Sequence, residues 1–304
     1  MATTTNITTS YAGDKLQGFI AAALLSPNTI EKGGLEVKSN IKFKQVIKKL
    51  ASSDDLVADG SCDFTATSTV TLTERYLEPK EFQVNLQLCK QDFRNDWDAL
   101  SMGISAHDSL PPSFASYLVG HVVAKVAEKM ENTIWSGDDA NPGEFDGLIA
   151  LATADADVVD VTGVAGGVDA SNVIAELGKV VDAISTEIYS KEDLNIYIAP
   201  DVARSYIRAQ AALGYKDLYH VGQTSLDFEG KKLFIANGMS AGYMMAAQSS
   251  NLMFGTGLLS DKNEAKVIDM ADIDGSQNVR IVLRFTATVN YGIGSEIVLY
   301  TPGA

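Results

Sequence analysis

The sequence is poor in the residues from which many catalytic and metal sites are built. It contains two cysteines and three histidines among 304 residues, so neither a disulfide scaffold nor a zinc site of closely spaced ligands is expected. Cys62 and Cys89 do not have a Cys-x-x-Cys spacing, and such sparse cysteine usage favours a reducing compartment. We therefore predict no metal and no cofactor.

Long apolar runs and an excess of positive charge are also missing. The longest apolar candidate, residues 19–25, is far shorter than the roughly 18 residues that a membrane-spanning helix needs, so no membrane partner is expected. Basic residues number 24 against 39 acidic ones, a net charge of −15, which disfavours broad coating of nucleic acid. The 46% of hydrophobic residues is enough for a large core and excludes disorder for most of the chain.

Charge is unevenly distributed along the chain. Residues 1–50 hold seven lysines and three acids, a net charge of +4, which leaves −19 for the remainder. Residues 1–10 are rich in threonine, asparagine and serine, which is typical of a mobile arm or of one that is ordered by a partner.

A basic segment is followed by an acidic one in residues 36–73. Apolar and polar residues alternate at first, which places Val37, Ile41 and Phe43 on one side of an extended strand. The lysines of this leg are Lys38, Lys42, Lys44, Lys48 and Lys49, and the acids that follow include Asp54, Asp55 and Asp59. The pattern predicts one long two-stranded hairpin, basic on one leg and acidic near its tip, which needs a surface to lie on.

The rest of the chain mixes helical and strand patterns. An apolar residue recurs at every fourth position in residues 113–135, which predicts one long helix, and a second helical stripe covers 173–188. Alternation predicts strands at 81–88 and 281–291, and we expect 296–300 to be the partner strand of the latter. No repeating βαβ order is visible, so the predicted class is α+β.

One motif resembles a catalytic site. Residues 238–242 read Gly-Met-Ser-Ala-Gly, the Gly-x-Ser-x-Gly pattern of a hydrolase nucleophile elbow, with Ser240 as the nucleophile. The α/β-hydrolase order requires a histidine after the serine, whereas His107, His121 and His220 all precede it. His121 is interpreted as a packed histidine of the long helix. No catalytic residue is assigned, and a serine hydrolase stays as a minor alternative.

Several stretches together resemble a known family. They are Thr71-Leu72-Thr73, Phe82-Gln83-Val84, residues 128–138 (EKMENTIWSGD), Phe145-Asp146-Gly147-Leu148, residues 195–200 (NIYIAP), residues 251–256 (NLMFGT) and residues 289–294 (VNYGIG). In order and spacing they resemble the major capsid protein of tailed bacteriophages, the family with the HK97 fold. The resemblance extends over almost the whole chain.

The resemblance implies both an organisation and a function. The implied parts are an N-terminal arm at 1–35, an E-loop at 36–72, a peripheral domain at 73–149 and 271–304 with a spine helix at 113–135, and an axial domain at 150–270. The chain is then expected to be a structural protein, not an enzyme. It would assemble into hexamers and pentamers of an icosahedral capsid that encloses DNA without sequence-specific binding. The five lysines and three aspartates of the hairpin become candidate inter-subunit residues.

The resemblance also implies partners and a location. The first partner is the chain itself, and scaffolding, portal and decoration proteins are further candidates. Met1 stands almost at the arm, so a separate scaffolding protein or none is expected. The implied location is the virion capsid, assembled in the cytoplasm of the bacterial host. An encapsulin, a cellular compartment shell with the same fold, stays as the alternative.

The hairpin lysines have two interpretations. They could meet acidic surface on a neighbouring subunit, because the rest of the chain carries the negative charge. They could equally protect an edge strand from unwanted pairing, which is a common use of lysine.

Overall fold

The computed structural model describes residues 28–52, 70–89, 112–212, 226–257 and 266–303. Its strands form a five-stranded sheet, a six-stranded sheet and a two-stranded hairpin, and helices pack against them. This mixture confirms the predicted α+β class.

The helices are α1 (Asn28–Glu31), α2 (Pro112–Ser136), α3 (Leu148–Ala154), α4 (Val173–Asp182), α5 (Thr186–Tyr189), α6 (Pro200–Ala212) and α7 (Ala271–Asp274), with a 3-10 turn at Gly294–Glu296. The strands are β1 (Glu36–Lys38), β2 (Gln45–Ser52), β3 (Val70–Leu77), β4 (Lys80–Cys89), β5 (Val159–Ala165), β6 (Leu194–Ile198), β7 (Leu226–Phe228), β8 (Lys231–Ile235), β9 (Met244–Gln248), β10 (Leu252–Thr256), β11 (Lys266–Asp269), β12 (Asn278–Tyr291) and β13 (Val298–Gly303).

The long helix α2 confirms the four-residue repeat predicted for residues 113–135. Its apolar face enters the core through Val119, Val122, Val123, Val126, Met130 and Ile134. Gly137 ends it: the Gly137 amide donates to the Thr133 carbonyl at 3.0 Å, and the Gly137 carbonyl accepts from the Gly147 amide at 2.9 Å. A Cβ at Gly147 would lie 2.7 Å from the Trp135 carbonyl oxygen, so this crossing needs glycine.

The five-stranded sheet is built around β12. Strand β4 pairs with it antiparallel along one edge, β10 and β11 pair with it along the other, and β1 adds parallel to β10. The alternation predicted for this strand is confirmed, since its inward residues are all buried: Ile281, Leu283, Phe285, Ala287, Val289 and Tyr291.

The six-stranded sheet has the order β5-β13-β9-β6-β8-β7. The prediction that the last strand pairs with residues 281–291 is wrong, because β13 pairs with β5 and β9 instead. The Asn251 side chain holds the turn that redirects the chain, accepting the amides of Gly292 at 3.0 Å and Ile293 at 2.8 Å. By entering the second sheet, Leu299 and Tyr300 become fully buried.

The hairpin also differs from its prediction. Its described ladder joins β2 to β3, whereas residues 36–38 belong to the five-stranded sheet. The chain turns between them through Asn40, which has a positive φ of 67°. Phe43, predicted on the apolar side, is 86% exposed because it lies in this connection and not in a strand.

The helical stripe predicted at 173–188 is divided into two helices, α4 and α5, since the chain turns at residues 183–185.

The division into peripheral and axial domains stays a prediction. The strand pairing adds that β10 and β11 share a sheet with β12, while β13 belongs to the other sheet.

Candidate functional site

The Ser240 motif forms a structural turn. Ser240 donates from its hydroxyl to Ser136 Oγ at 2.8 Å and from its amide to the same oxygen at 3.1 Å. Ser136 in turn donates to the Gly238 carbonyl at 3.1 Å, so the three residues fasten this turn to the end of α2. The groups in these hydrogen bonds are two hydroxyls and backbone atoms, and none of them is a general base that could activate the Ser240 hydroxyl.

His121 is exposed on α2, so its interpretation as a packed histidine is wrong. A four-residue apolar repeat leaves positions between the buried ones, and His121 occupies one of them. No cluster of three or more possible metal ligands occurs in the ranges that the structure covers. Among the helices described, none is long and apolar enough to cross a bilayer.

The predicted interface lysines lie around the hairpin in two groups. Lys38 ion-pairs with Glu36 of its own strand, and the Lys44 ammonium lies 3.5 Å from the centre of the Tyr76 ring. Lys42 is exposed in the connection before β2. Lys48 and Lys49 lie farther along β2 and line a cavity. Asp54, Asp55 and Asp59 fall outside the described residues.

This cavity, which we call the hairpin pocket, lies between the hairpin and the body of the molecule. Its volume is about 370 Å³, and it is open to solvent. The residues that line it are Ile47, Lys48, Lys49, Lys191, Gln248, Ser250, Asn251, Met253, Gly292, Ile293 and Glu296. Two of the family-like stretches, 251–256 and 289–294, therefore meet here.

A polar cluster fastens the base of the hairpin to the body. Arg75 of β3 ion-pairs with Asp155, and its guanidinium lies 4.4 Å from the centre of the Tyr291 ring. The Tyr291 hydroxyl lies 2.9 Å from Asp155 Oδ2. Burial opposes ionisation of Asp155, but hydrogen bonds from Arg75 and from a backbone amide outweigh burial and lower its pKa. Burial raises the pKa of Tyr291, which stays a neutral donor.

Apolar side chains are exposed close to this anchored base. Val46 and Tyr76 are cross-strand partners in the hairpin, and both are more than one-third exposed. Phe43 in the preceding connection is the most exposed large apolar side chain of the described residues. Exposed apolar groups gathered in one region are typical of a surface that another molecule covers.

Sequence reasoning identified the lysines but missed the Arg75, Asp155 and Tyr291 cluster. These residues are separated by 80 and 136 positions in the chain, so no local pattern reveals their contact. The only signal was that Tyr291 belongs to the family-like stretch at 289–294, and that signal does not indicate its partners.

Known proteins are similar to this chain in structure. No protein-family profile and no curated protein sequence matches it. The capsid of a native GTA particle matches with a TM-score of 0.65 and 13% identity, covering 93% of this chain and 91% of that one. A structure from Gordonia phage Cozz matches with a TM-score of 0.60 and 12% identity, covering 91% and 87%.

A virus-like particle from Pyrococcus furiosus also matches, with a TM-score of 0.54 and 8% identity over 94% of this chain and 98% of that one. At such identities the likeness shows the fold alone. The chain therefore has the HK97-like capsid fold that its sequence resemblance implied.

Proposed function

We propose that the chain is the major subunit of a bacteriophage capsid and self-assembles into hexamers and pentamers of an icosahedral shell around DNA. The observation that carries the proposal is the match to a capsid subunit over 93% of this chain and 91% of the other. The exposed apolar residues at the hairpin base support it, because assembly would cover them.

Shell formation needs many moderate contacts and no single strong one. Subunits that share arms, hairpins and domain edges bury several thousand Å² each, the range of obligate assemblies. The net charge of −15 suits a container that surrounds DNA without gripping it, since tight phosphate binding requires many basic contacts. The described structure accordingly needs no catalytic site for this role.

We also propose that the shell belongs to a virion and is assembled in the cytoplasm of a bacterial host. Scaffolding, portal and decoration proteins are candidate partners, since a closed shell that takes up DNA needs an entry point and a control of its size. The N-terminal arm and E-loop are proposed as the segments that lie across neighbouring subunits.

A compartment shell of the encapsulin type is the second candidate. The sequence resemblance leaves this candidate open, and the structural matches include a virus-like particle, covered over 98% of its chain, besides the phage capsids. The two candidates differ in content: a compartment retains a cargo protein, whereas a capsid encloses nucleic acid.

The test is expression of the chain alone, followed by size-exclusion chromatography with light scattering. We expect particles or capsomers many times heavier than the 32.4 kDa chain. A chain that stays a monomer at every concentration, also with crowding agent and candidate scaffold, would contradict the proposal. One protein copurifying inside the particles at a fixed ratio would instead favour the compartment.

A further inference from the structure

Asn237 and Gly238 form the only Asn-Gly pair of the sequence. They are the central residues of a turn in which the Met239 amide donates to the Ala236 carbonyl at 3.2 Å, and the Asn237 side chain is exposed. Asparagine before glycine is the pair most prone to deamidation, because glycine has no side chain to hinder attack of its nitrogen on the asparagine carboxamide.

Gly238 lies directly against the long helix α2. A Cβ at Gly238 would collide with the Glu131 carbonyl oxygen. Neither Asn237 nor Gly238 has a positive φ, so the turn requires glycine for this close approach and not for its backbone conformation. Ser136, at the end of the same helix, donates to the Gly238 carbonyl at 3.1 Å. These contacts fix the Gly238 peptide group relative to α2.

A buried carboxylate lies at the nitrogen of that peptide group. The Gly238 amide donates a hydrogen bond to the Glu131 side chain, and Thr29 donates to the same carboxylate from its hydroxyl and its amide. Only 5% of Glu131 is exposed. Burial raises the pKa of Glu131, which makes its carboxylate a stronger base than that of an exposed glutamate.

A second cavity brings water to the turn. Its volume is about 420 Å³, and it is open to solvent. The residues that line it are Asn28, Ala124, Ala127, Glu128, Glu131, Asn132 and Asn237. Because Glu131 and Asn237 share this cavity, water can reach both groups and a small leaving group can escape.

We propose that Asn237 deamidates in a reaction that the fold itself catalyses, with the Glu131 carboxylate as the general base. Glu131 takes the proton of the Gly238 amide while that nitrogen forms a bond to Cγ of the Asn237 carboxamide. The proton then passes to the departing nitrogen, the bond between Cγ and that nitrogen breaks, and ammonia leaves a succinimide ring. Water adds to one of the two ring carbonyls and opens the ring, which gives aspartate or isoaspartate at position 237.

The reaction would change the contact between the turn and α2 irreversibly. Both products carry a negative charge beside Glu128 and Glu131, and isoaspartate also lengthens the backbone of the turn by a methylene group. Both changes oppose the close packing of Gly238. The reaction needs only a folded subunit, whatever particle that subunit forms.

Mass spectrometry of the proteolytic peptide that contains Asn237 tests the proposal. We expect faster deamidation in the folded chain than in the urea-unfolded chain at neutral pH, because Glu131 meets Gly238 only in the folded state. Glu131→Gln should slow the reaction of the folded chain by about a hundredfold, as expected for loss of a general base. In urea this variant and the wild type should react at the same rate.

The matched control is Glu128→Gln, which removes the other carboxylate of the same cavity and makes the same change in net charge. It should leave the deamidation rate of the folded chain unchanged. A melting curve shows whether each variant folds.

The pH profile of the wild-type chain is a second measurement, and it holds even if Glu131→Gln does not fold. The rate in the folded chain should rise as Glu131 ionises and then level off, whereas in the unfolded chain hydroxide is the base and the rate keeps rising with pH. The other titratable group of the cavity is Glu128, whose pKa is lowered by a hydrogen bond from Lys125, so Glu128→Gln should have a profile of the same shape.

Three results would overturn the proposal. The first is equal rates in folded Glu131→Gln and folded wild type, and the second is a folded rate that follows hydroxide over the whole pH series. The third is slower deamidation in the folded than in the unfolded wild type at neutral pH, which would mean that the packing of Gly238 protects Asn237.

Discussion

Glu131 is a buried carboxylate that joins the start of the described chain to the long helix. It accepts the Thr29 hydroxyl at 2.5 Å and the Thr29 amide at 3.2 Å, and the Trp135 indole donates to Thr29 Oγ at 2.7 Å. Burial raises the pKa of Glu131, while hydrogen bonds from Thr29 and the Gly238 amide only partly offset it. The native chain therefore holds this proton more tightly than the unfolded chain.

The raised pKa predicts how stability depends on pH. Its stabilising contribution is complete below the ordinary value of 4.5 and is lost as pH rises through the native pKa. We expect the free energy of unfolding of Glu131→Gln, relative to wild type, to increase with pH above that value. Urea unfolding of the dispersed protein over a pH series measures it.

The control for this prediction is Glu128→Gln on the exposed side of the same helix. A hydrogen bond from Lys125 lowers the pKa of Glu128, so its relative stability should change in the opposite direction. A Glu131 variant that loses stability relative to wild type as pH rises would contradict the account.

Gly238 and Gly178 are two glycines with opposite surroundings. A Cβ at Gly238 would collide with the backbone of Glu131 and Asn132, while a Cβ at Gly178 in α4 would meet nothing within 4 Å. We expect Gly238→Ala to lower the free energy of unfolding by about 1–3 kcal/mol through overpacking. Gly178→Ala should raise it by about 0.5–1 kcal/mol, since alanine favours a helix interior. Chemical denaturation compares them, and equal effects would refute the close backbone approach.

At the scale of elements, the hairpin is anchored at its base through Arg75. We expect Arg75→Gln to speed hydrogen exchange in β2 and β3 and to cost about 1–2 kcal/mol, because the ion pair with Asp155 is only partly buried. The lowered pKa of Asp155 means that the pair stabilises the chain above pH 3.8 and less as pH falls through the native pKa.

The control for the anchor is Lys80→Gln, which removes an exposed ion pair with Asp139. It should leave exchange in the hairpin unchanged. Hydrogen exchange followed by mass spectrometry measures the exchange rates of β2 and β3 in both variants. Identical rates in Arg75→Gln and wild type would show that Arg75 does not hold the hairpin in place.

The elements show which parts of a fold a sequence can reveal. Helix α2 and strand β12 were predictable because each is a long stretch in which apolar residues repeat regularly, and this repeat matches the pattern of buried positions. Strand β13 was also recognised, but its partner was not, because pairing depends on where a turn sends the chain. Asn251, which holds that turn, lies 41 residues before Gly292.

The candidate site was less predictable than the fold. The hairpin lysines were visible as a local charge pattern, whereas the pocket they line is made from four separate stretches of chain. Phe43 was misplaced because alternation cannot tell a strand from an extended connection. The turn at Asn40 interrupts the strand, and its positive φ has no reliable local signal.

At the scale of the whole molecule, the fold, the charge and the exposed surface agree with a subunit that is completed by its neighbours. The side chains of Phe43, Val46 and Tyr76 are each more than one-third exposed, and the hairpin pocket is open to solvent. In the proposed shell, neighbouring subunits would cover these apolar side chains. The Ser240 turn and the exposed His121 then need no catalytic explanation.

The most direct test is electron cryomicroscopy of particles formed by the purified chain. The account predicts closed shells with icosahedral symmetry, built of hexamers and pentamers, in which each hairpin lies on an adjacent subunit. Particles whose hairpins contact only their own subunit, or a protein that forms no closed particles even with a scaffold, would contradict it.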